Sequence, residues 1–228
     1  MKKTFLLFAL VLVSTTVSIA QLSEAHVAYA ISIESDDPEM ASYASMFENS
    51  TLDLYFNDDF SRVEMDMGML MKMATISDLK SGDILILMGG MMGQTAITSS
   101  KTEMEGEETE ASESRVALSK SKKKILGYKC KKATVTDADG NELIYWYTPK
   151  IKSQSIEAND IASKIPGLAL EYETNRDGMT MKFLAETVET KLDAATIKEK
   201  FTTQVPEGYE VMTYKEFTEM NGESEDEE

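Results

Sequence analysis

Residues 63–73 read VEMDMGMLMKM, and every second residue from Met65 to Met73 is methionine. Successive side chains of an extended strand point to opposite faces, so this alternation predicts one strand with five thioethers on one side. A second apolar run, ILILM at residues 84–88, follows, and Ser-Gly-Asp at residues 81–83 supplies a turn before it. The two runs therefore predict a hairpin with a methionine-rich face.

Alternating apolar patterns and turn signals elsewhere predict more strands of the same kind. The predicted strands cover residues 27–33, 51–56, the methionine run from residue 60, and residues 84–88, 127–135, 143–147, 168–173 and 179–188. Asp139-Gly140 gives the clearest hairpin turn. Short helices are predicted at residues 39–47, 194–201 and 214–220, with Asp193 as the N-cap of the second. Consecutive hairpins predict an antiparallel sheet and a mainly β (α+β) fold.

The first twenty residues have the layout of a secretory signal. Lys2 and Lys3 precede an almost wholly apolar stretch at residues 4–13, and small residues Ser18 and Ala20 precede Gln21. We expect cleavage after Ala20 and an exported, periplasmic protein without a transmembrane segment in the mature chain, although an uncleaved anchor stays open. A cysteine is missing at the cleavage site, which argues against a lipoprotein. Residues 21–220 are expected to form a single β-rich domain.

The charge of the chain is strongly acidic and unevenly distributed. A formal net charge of −17 makes nucleic acid an unexpected partner, because binding nucleic acid requires neutralised phosphates. Glutamates crowd residues 101–114, which are predicted to form a mobile acidic loop, and residues 221–228 are predicted to be a disordered acidic tail. Seven lysines follow the acidic loop: Lys120, Lys122, Lys123, Lys124, Lys129, Lys131 and Lys132. They form either a docking patch for an acidic partner or lipid head group, or a solvated strand face.

The residue types needed for catalysis are scarce in this sequence. His26 is the single histidine and is expected at the surface rather than as a base. Cys130 is the single cysteine, so it forms no intramolecular disulfide, and it is interpreted as a small buried hydrophobe rather than a reactive thiolate. Carboxylates are plentiful, but no spacing marks an acid and base pair. We therefore predict a non-catalytic protein without a cofactor.

The methionines permit three interpretations. Thioethers are soft ligands for Cu(I), although alternate residues of one strand lie about 6.6 Å apart and chelate poorly unless a neighbouring strand contributes. Methionine also adapts to irregular apolar guests, and it can simply fill a core. A ligand-lining face is predicted from the residues of both apolar runs: Met65, Met67, Met69, Met71, Met73, Leu85, Leu87 and Met88.

Several stretches resemble an exported bacterial family of unknown function that is related to the GLPGLI proteins. They are residues 76–80, 84–88, 91–94, 127–132, 145–148, 165–171 and 205–209. Such families look like periplasmic lipoprotein carriers of the LolA type. This resemblance implies a strongly curved antiparallel sheet, or a half-open β-barrel, with a few short helices packed in or on it. It transfers neither a catalytic residue nor a defined cargo.

These observations together predict an exported, soluble binding or carrier protein. The expected cargo is a hydrophobic molecule, such as a lipid or a lipoprotein acyl chain. Two alternatives remain at this point: a methionine-rich protein that binds Cu(I), and a structural envelope protein with a filled core and no ligand.

Overall fold

The computed structural model describes residues 21–35, 49–91, 93–104, 114–136, 140–152, 164–176 and 179–222. Twelve strands and three short helices are found in these residues. The strands are β1 (Ala25–Ser35), β2 (Thr51–Phe56), β3 (Phe60–Asp66), β4 (Met71–Asp78), β5 (Asp83–Gly90), β6 (Thr95–Ser100), β7 (Arg115–Ile125), β8 (Tyr128–Thr136), β9 (Glu142–Thr148), β10 (Leu168–Arg176), β11 (Met179–Glu189) and β12 (Glu210–Thr213). The helices are α1 (Lys101–Met104), α2 (Ala194–Lys200) and α3 (Tyr214–Gly222).

All twelve strands belong to one open sheet, in the order β12-β6-β5-β4-β3-β2-β1-β11-β10-β9-β8-β7. Two antiparallel meanders, β1–β6 and β7–β11, join where β1 pairs with β11. The short β12 pairs parallel with β6 and ends the sheet on that side, while β7 is the other edge. The predicted mainly β fold with an antiparallel sheet is therefore confirmed.

The sheet curves toward the face that carries its main core, which we call the inner face. The Tyr29 hydroxyl on β1 donates a hydrogen bond of 2.7 Å to the carbonyl of Ala169 on β10, two strands away. In a flat sheet these strands would lie about 9.6 Å apart, which is too far for a tyrosine that stands upright. Tyr172 fills the space between, with ring centroids 5.9 Å from Tyr29 and 4.5 Å from Phe183. Buried side chains from distant strands thus share one core.

The opposite side of β3–β6, which we call the outer face, has a smaller core of its own. Ile76, Leu85 and Leu87 are buried there, and Val205 and Tyr209 pack against them. These last two residues belong to the segment between α2 and β12. Apolar residues on both faces of β4 and β5 explain why the run at residues 84–88 is continuous rather than alternating.

The methionine run does not form the single strand that its alternation predicts. β3 ends at Asp66 and β4 begins at Met71. Between them the chain turns: the Asp66 carboxylate accepts a hydrogen bond of 2.8 Å from the amide of Gly68, whose φ is +68°. The Met67 amide donates to the Met71 carbonyl across the turn. The prediction of one five-methionine strand is wrong, because a glycine with positive φ and an aspartate cap favour a turn here.

Other local predictions agree with the structure where it describes them. The turn at residues 81–83 is present, and Asp193 caps α2 by accepting from the amides of Ala195 and Thr196. Two bounds differ from the predictions: the first four residues of the predicted mobile loop form α1, and α3 extends into the predicted disordered tail as far as Gly222. The predictions for residues 1–20, 39–47, 105–113 and 223–228 fall outside the described residues. Among the described helices, none has the length and apolar character to span a membrane.

Candidate functional site

A row of three methionines crosses the inner face of neighbouring strands. Met65 on β3 lies opposite Met73 on β4, and Met73 lies opposite Met88 on β5. The same row continues the other way through Leu52 to Tyr29, both of which are buried. Paired residues of antiparallel strands point to the same side, so all five side chains share the inner face.

A cavity of about 420 Å³ opens at the end of this row, near the β12 edge of the sheet. We call it the methionine cavity. Four methionines and a phenylalanine dominate its wall, and its full lining is Leu70, Met71, Met88, Gly89, Gly93, Thr95, Met212, Phe217 and Met220. Strands β4, β5 and β6 form one side, and β12 and α3 form the other. The volume lies within the range of about 300–1,000 Å³ that is typical of small-molecule sites.

Gly90 allows the chain to close the cavity beside β4. Its φ is +136°, and a Cβ at this position would lie 2.5 Å from the carbonyl oxygen of Leu70. Only glycine permits this approach of two backbone segments. The contact holds Leu70 and Met71 at the wall of the cavity.

The eight residues predicted to line a ligand site are divided among four places. Met71 and Met88 line the methionine cavity. Met65 and Met73 lie beside it in the row, and Met65 packs against the inner core. Met67 and Met69 belong to the turn at residues 67–70, and Met69 is 82% exposed.

Leu85 and Leu87 do not line the methionine cavity. They alternate with Met88 and therefore point to the outer face, where Val205 and Tyr209 cover them. Leu87 shares the lining of a separate cleft of about 310 Å³ with Met65 and Met73, and the ligand-binding role of the eight residues stays a prediction.

Sequence reasoning missed Met212, Phe217 and Met220. They lie more than 120 residues after Met88 and reach the cavity only because β12 adds to β6 and α3 follows directly. Their apolar spacing was a weak local signal. The contact that places them is non-local, so the sequence alone does not predict it.

The outer face continues across β1 and β2, where polar side chains cluster around His26. The Nε2 atom of His26 lies 2.7 Å from the Asp53 carboxylate, and its ring stacks on Tyr55 with 4.1 Å between centroids. Its Nδ1 atom lies 3.8 Å from the Glu189 carboxylate. His26 lies on the face opposite Val27, as its alternation predicts, but it is only partly exposed and is held by specific contacts. Burial raises the pKa of Tyr55 to about 12, and the Asp53 and Glu64 carboxylates add to this shift.

A second group of charges attaches α2 to the same face. Glu64 accepts from Arg62 Nε at 2.7 Å and from Lys200 Nζ at 3.0 Å. Arg62 also donates to the Lys200 carbonyl at the end of α2, and Phe60 stacks on Phe201. The cleft of about 310 Å³ lies beside these residues. Arg62 and Glu64 line this cleft, form an ion pair with each other and both contact Lys200. These contacts stabilise the packing of α2 on the sheet.

The remaining chemical candidates of the sequence are a thiol and metal ligands. Cys130 is fully buried, its Sγ atom lies 3.7 Å from the Tyr128 carbonyl, and burial raises the pKa of its thiol. The interpretation of Cys130 as a buried hydrophobe is confirmed. Within the described residues, no group of three or more His, Cys, Asp or Glu side chains is arranged to hold a metal ion.

The fold and the cavity define a mainly β protein, built on one open, curved sheet with an apolar cavity at its edge. The chain belongs to the family described as "N-glycanase peptide, N-terminal domain", whose model matches residues 89–216, more than half of the chain. The matched region contains β6–β12 and, of the three cavity residues that sequence reasoning missed, Met212. It begins after the methionine run.

Solved structures give the same fold. PNGF-II in a C2 crystal form is 16% identical with a TM-score of 0.52, over 88% of this chain and 33% of that chain. PNGF-II in a P21 form is 16% identical with a TM-score of 0.50, over 89% and 34%. The chain thus spans about a third of the length of PNGF-II.

A LolA superfamily protein from Nitrosomonas europaea is also similar, with 10% identity and a TM-score of 0.33 over 80% of this chain and 91% of that one. No curated protein matches the sequence. The relationship to GLPGLI proteins stays a prediction.

Proposed function

We propose that this chain is an exported, non-catalytic binding protein that holds a flexible apolar molecule, such as an acyl chain, in the methionine cavity. The observation that supports this most is the composition of the cavity. Met71, Met88, Met212 and Met220 meet there with Phe217, although they come from separate parts of the sequence. Their side chains have three rotatable bonds and polarizable sulfurs, so they adapt to a guest of irregular shape.

The position of the cavity also favours binding over simple core packing. Met88 joins the row of inner-face methionines, whereas Met220 on α3 is 67% exposed. The cavity therefore leads from the packed part of the inner face to the surface. A flexible guest can enter there without passing through the core.

The likeness to PNGF-II bears on the proposal only through the fold. The matching family is an N-terminal domain, and this chain corresponds to about a third of PNGF-II. We propose that this chain shares the domain's fold without a glycanase activity of its own. Export to the periplasm is proposed from the signal-like residues 1–20.

Binding of Cu(I) is a second candidate, supported by one observation. Met65, Met73 and Met88 are directly opposed on three neighbouring strands. This arrangement supplies the cross-strand thioethers that a single strand lacks, and three thioethers suit Cu(I). Replacement of Met73 by leucine would abolish copper binding while leaving an apolar site nearly unchanged.

A fluorescence titration tests the apolar site. The probe is the neutral dye N-phenyl-1-naphthylamine, whose emission rises in apolar surroundings. We expect saturable binding to the full chain and at least about tenfold weaker binding to a Met71→Gln/Met212→Gln variant, a loss of about 1.4 kcal/mol. Glutamine keeps the shape of methionine but adds a polar amide that must be desolvated.

Met69→Gln is the matched control, because Met69 is exposed and lies outside the cavity lining. This variant should bind the dye as the unmodified chain does. Circular dichroism and thermal melts would verify that all three proteins are folded. Failure of the unmodified chain to bind the dye, or an equal loss in the Met69 control, would refute the apolar site.

A further inference from the structure

The lysine hairpin, which we define as residues 120–132 of β7 and β8, places like charges directly opposite each other. Lys122 pairs with Lys131, and Lys124 pairs with Lys129. Residues two apart on a strand share a face, so the four ammonium groups form one array, and all four residues are exposed. Like charges that face each other destabilise a pair of strands, so this array lowers the stability of the folded hairpin.

On the other face of the hairpin, an acidic side chain offsets the charge of a lysine. Lys123 forms an ion pair with Glu171 and lies over the Trp146 ring. The four lysines of the array form no ion pair with any residue that the structure describes. Since β7 is an edge of the sheet, no further strand of the described part of the chain flanks the array on that side. A local positive surface therefore stands on a chain whose net charge is −17.

The tip of the lysine hairpin is apolar. Leu126 and Gly127 form the two-residue turn, with φ values of +48° and +81°. Turns of this kind favour asparagine at the first position, because a branched apolar side chain is disfavoured at positive φ. Leu126 is nonetheless placed there and is 46% exposed. The Ile125–Tyr128 pair flanks this turn, and the Lys124–Lys129 pair is the next pair along the hairpin.

We propose that the lysine hairpin docks the protein on an anionic lipid bilayer. The array binds the phosphate-bearing head groups, and Leu126 enters the boundary between head groups and acyl chains. Basic residues near an anionic bilayer each strengthen attachment, and an adjacent apolar side chain adds burial in the interface. The acidic remainder of the molecule is repelled by the same surface, which fixes the docked orientation.

An acidic peptide explains the observations less completely. A peptide that extends the sheet would use the backbone edge of β7 and would gain nothing from an apolar residue at the end of the hairpin. A planar surface with charge outside and hydrocarbon beneath matches both the array and the tip. This inference goes beyond the proposed apolar cavity and does not depend on it, since the cavity lies at the opposite edge of the sheet.

Sedimentation of the full chain with vesicles tests the inference. We expect binding to phosphatidylcholine vesicles that contain phosphatidylglycerol, weakening as salt is added, and no binding to pure phosphatidylcholine. A variant with Lys122, Lys124, Lys129 and Lys131 all replaced by glutamine should bind at least about tenfold more weakly. Removal of opposed charges does not destabilise the hairpin, so this variant should remain folded. Leu126→Asn should bind several-fold more weakly while melting at the same or a higher temperature, because asparagine suits the backbone conformation.

The matched control changes the net charge equally but elsewhere. It replaces Lys80, Lys191, Lys198 and Lys215, all exposed, by glutamine. This control should bind as the unmodified chain does. The inference is overturned if the unmodified chain does not sediment with anionic vesicles, if the control loses as much binding as the array variant, or if Leu126→Asn binds unchanged. Preference for a soluble polyglutamate peptide over the vesicles would also overturn it.

Discussion

Met73 and Met88 lie directly opposite each other on β4 and β5, and both side chains point to the inner face of the sheet. On one side of this pair, Met65 packs against the buried core. On the other side, Met88 lines a cavity that opens toward α3. The row of methionines therefore begins in the core, at Met65, and ends at the cavity, at Met88.

Replacement of Gly90 by alanine should destabilise the protein and disturb the cavity. The added Cβ would meet the Leu70 carbonyl oxygen at 2.5 Å, and the residue has a φ of +136°. Backbone strain of this kind costs about 1–3 kcal/mol, and the steric clash adds to it. Urea unfolding would measure the loss of stability.

Gly93→Ala is the control for that experiment. Gly93 also has a positive φ, +108°, but a Cβ there meets no atom within 4 Å. Replacement of Gly93 should therefore cost the backbone strain but add no steric clash. Equal losses in the two variants would mean that the close approach of Gly90 to Leu70 contributes nothing to the fold.

Removal of the Glu64 charge should loosen α2. Glu64→Gln leaves the half-buried cations of Arg62 and Lys200 without their carboxylate, with an expected loss of about 1–3 kcal/mol. Amide hydrogen exchange in α2 should accelerate. Asp66→Asn is a suitable comparison, because the Asp66–Lys72 pair is much more exposed and should contribute about 0–1 kcal/mol. An Asp66 effect as large as the Glu64 effect would contradict this account.

Stability should fall at high pH partly because of Tyr55. Its pKa is about 12 in the folded chain, against 10.0 for an ordinary tyrosine. The unfolded chain therefore loses this proton first, so the stabilising contribution is complete below pH 10 and disappears as the pH rises toward 12. Tyr55→Phe keeps a ring for His26 to stack on and should show a smaller decline across this interval.

Tyrosinate absorbance gives an independent readout of the same group. The Tyr55→Phe variant should lack one of the late-titrating phenols of the folded protein. Tyr29 and Tyr147, whose pKa values are also raised by burial, remain in both proteins and contribute to the late titration of each. Identical titration curves for the two proteins would show that Tyr55 ionises normally.

Local patterns were sufficient to predict most strands of the sheet. Alternation marked β1, and Asp-Gly marked the boundary between β8 and β9, because both signals depend on neighbouring residues. The methionine alternation predicted a continuous strand through Gly68. The structure has a turn there, which the glycine itself indicated. Sequence therefore predicted the class of fold better than the path of its most unusual segment.

The candidate site was predictable only in part. Met71 and Met88 were predicted as lining residues because they belong to the two apolar runs. Met212 and Phe217 were not predicted, because they reach the cavity through the parallel pairing of β12 with β6. That pairing joins distant segments and leaves no periodic signature in four residues. The position of Leu87 on the outer face likewise depends on which side the later segment covers.

The central claim is that the methionine cavity holds an apolar guest. Native mass spectrometry of the full chain, purified gently, tests this most directly. We predict an additional mass that disappears on denaturation, is recovered in an organic extract, and is greatly reduced in the Met71→Gln/Met212→Gln variant but not in Met69→Gln. A single unliganded mass for the unmodified chain, together with no uptake of added fatty acid, would contradict the claim.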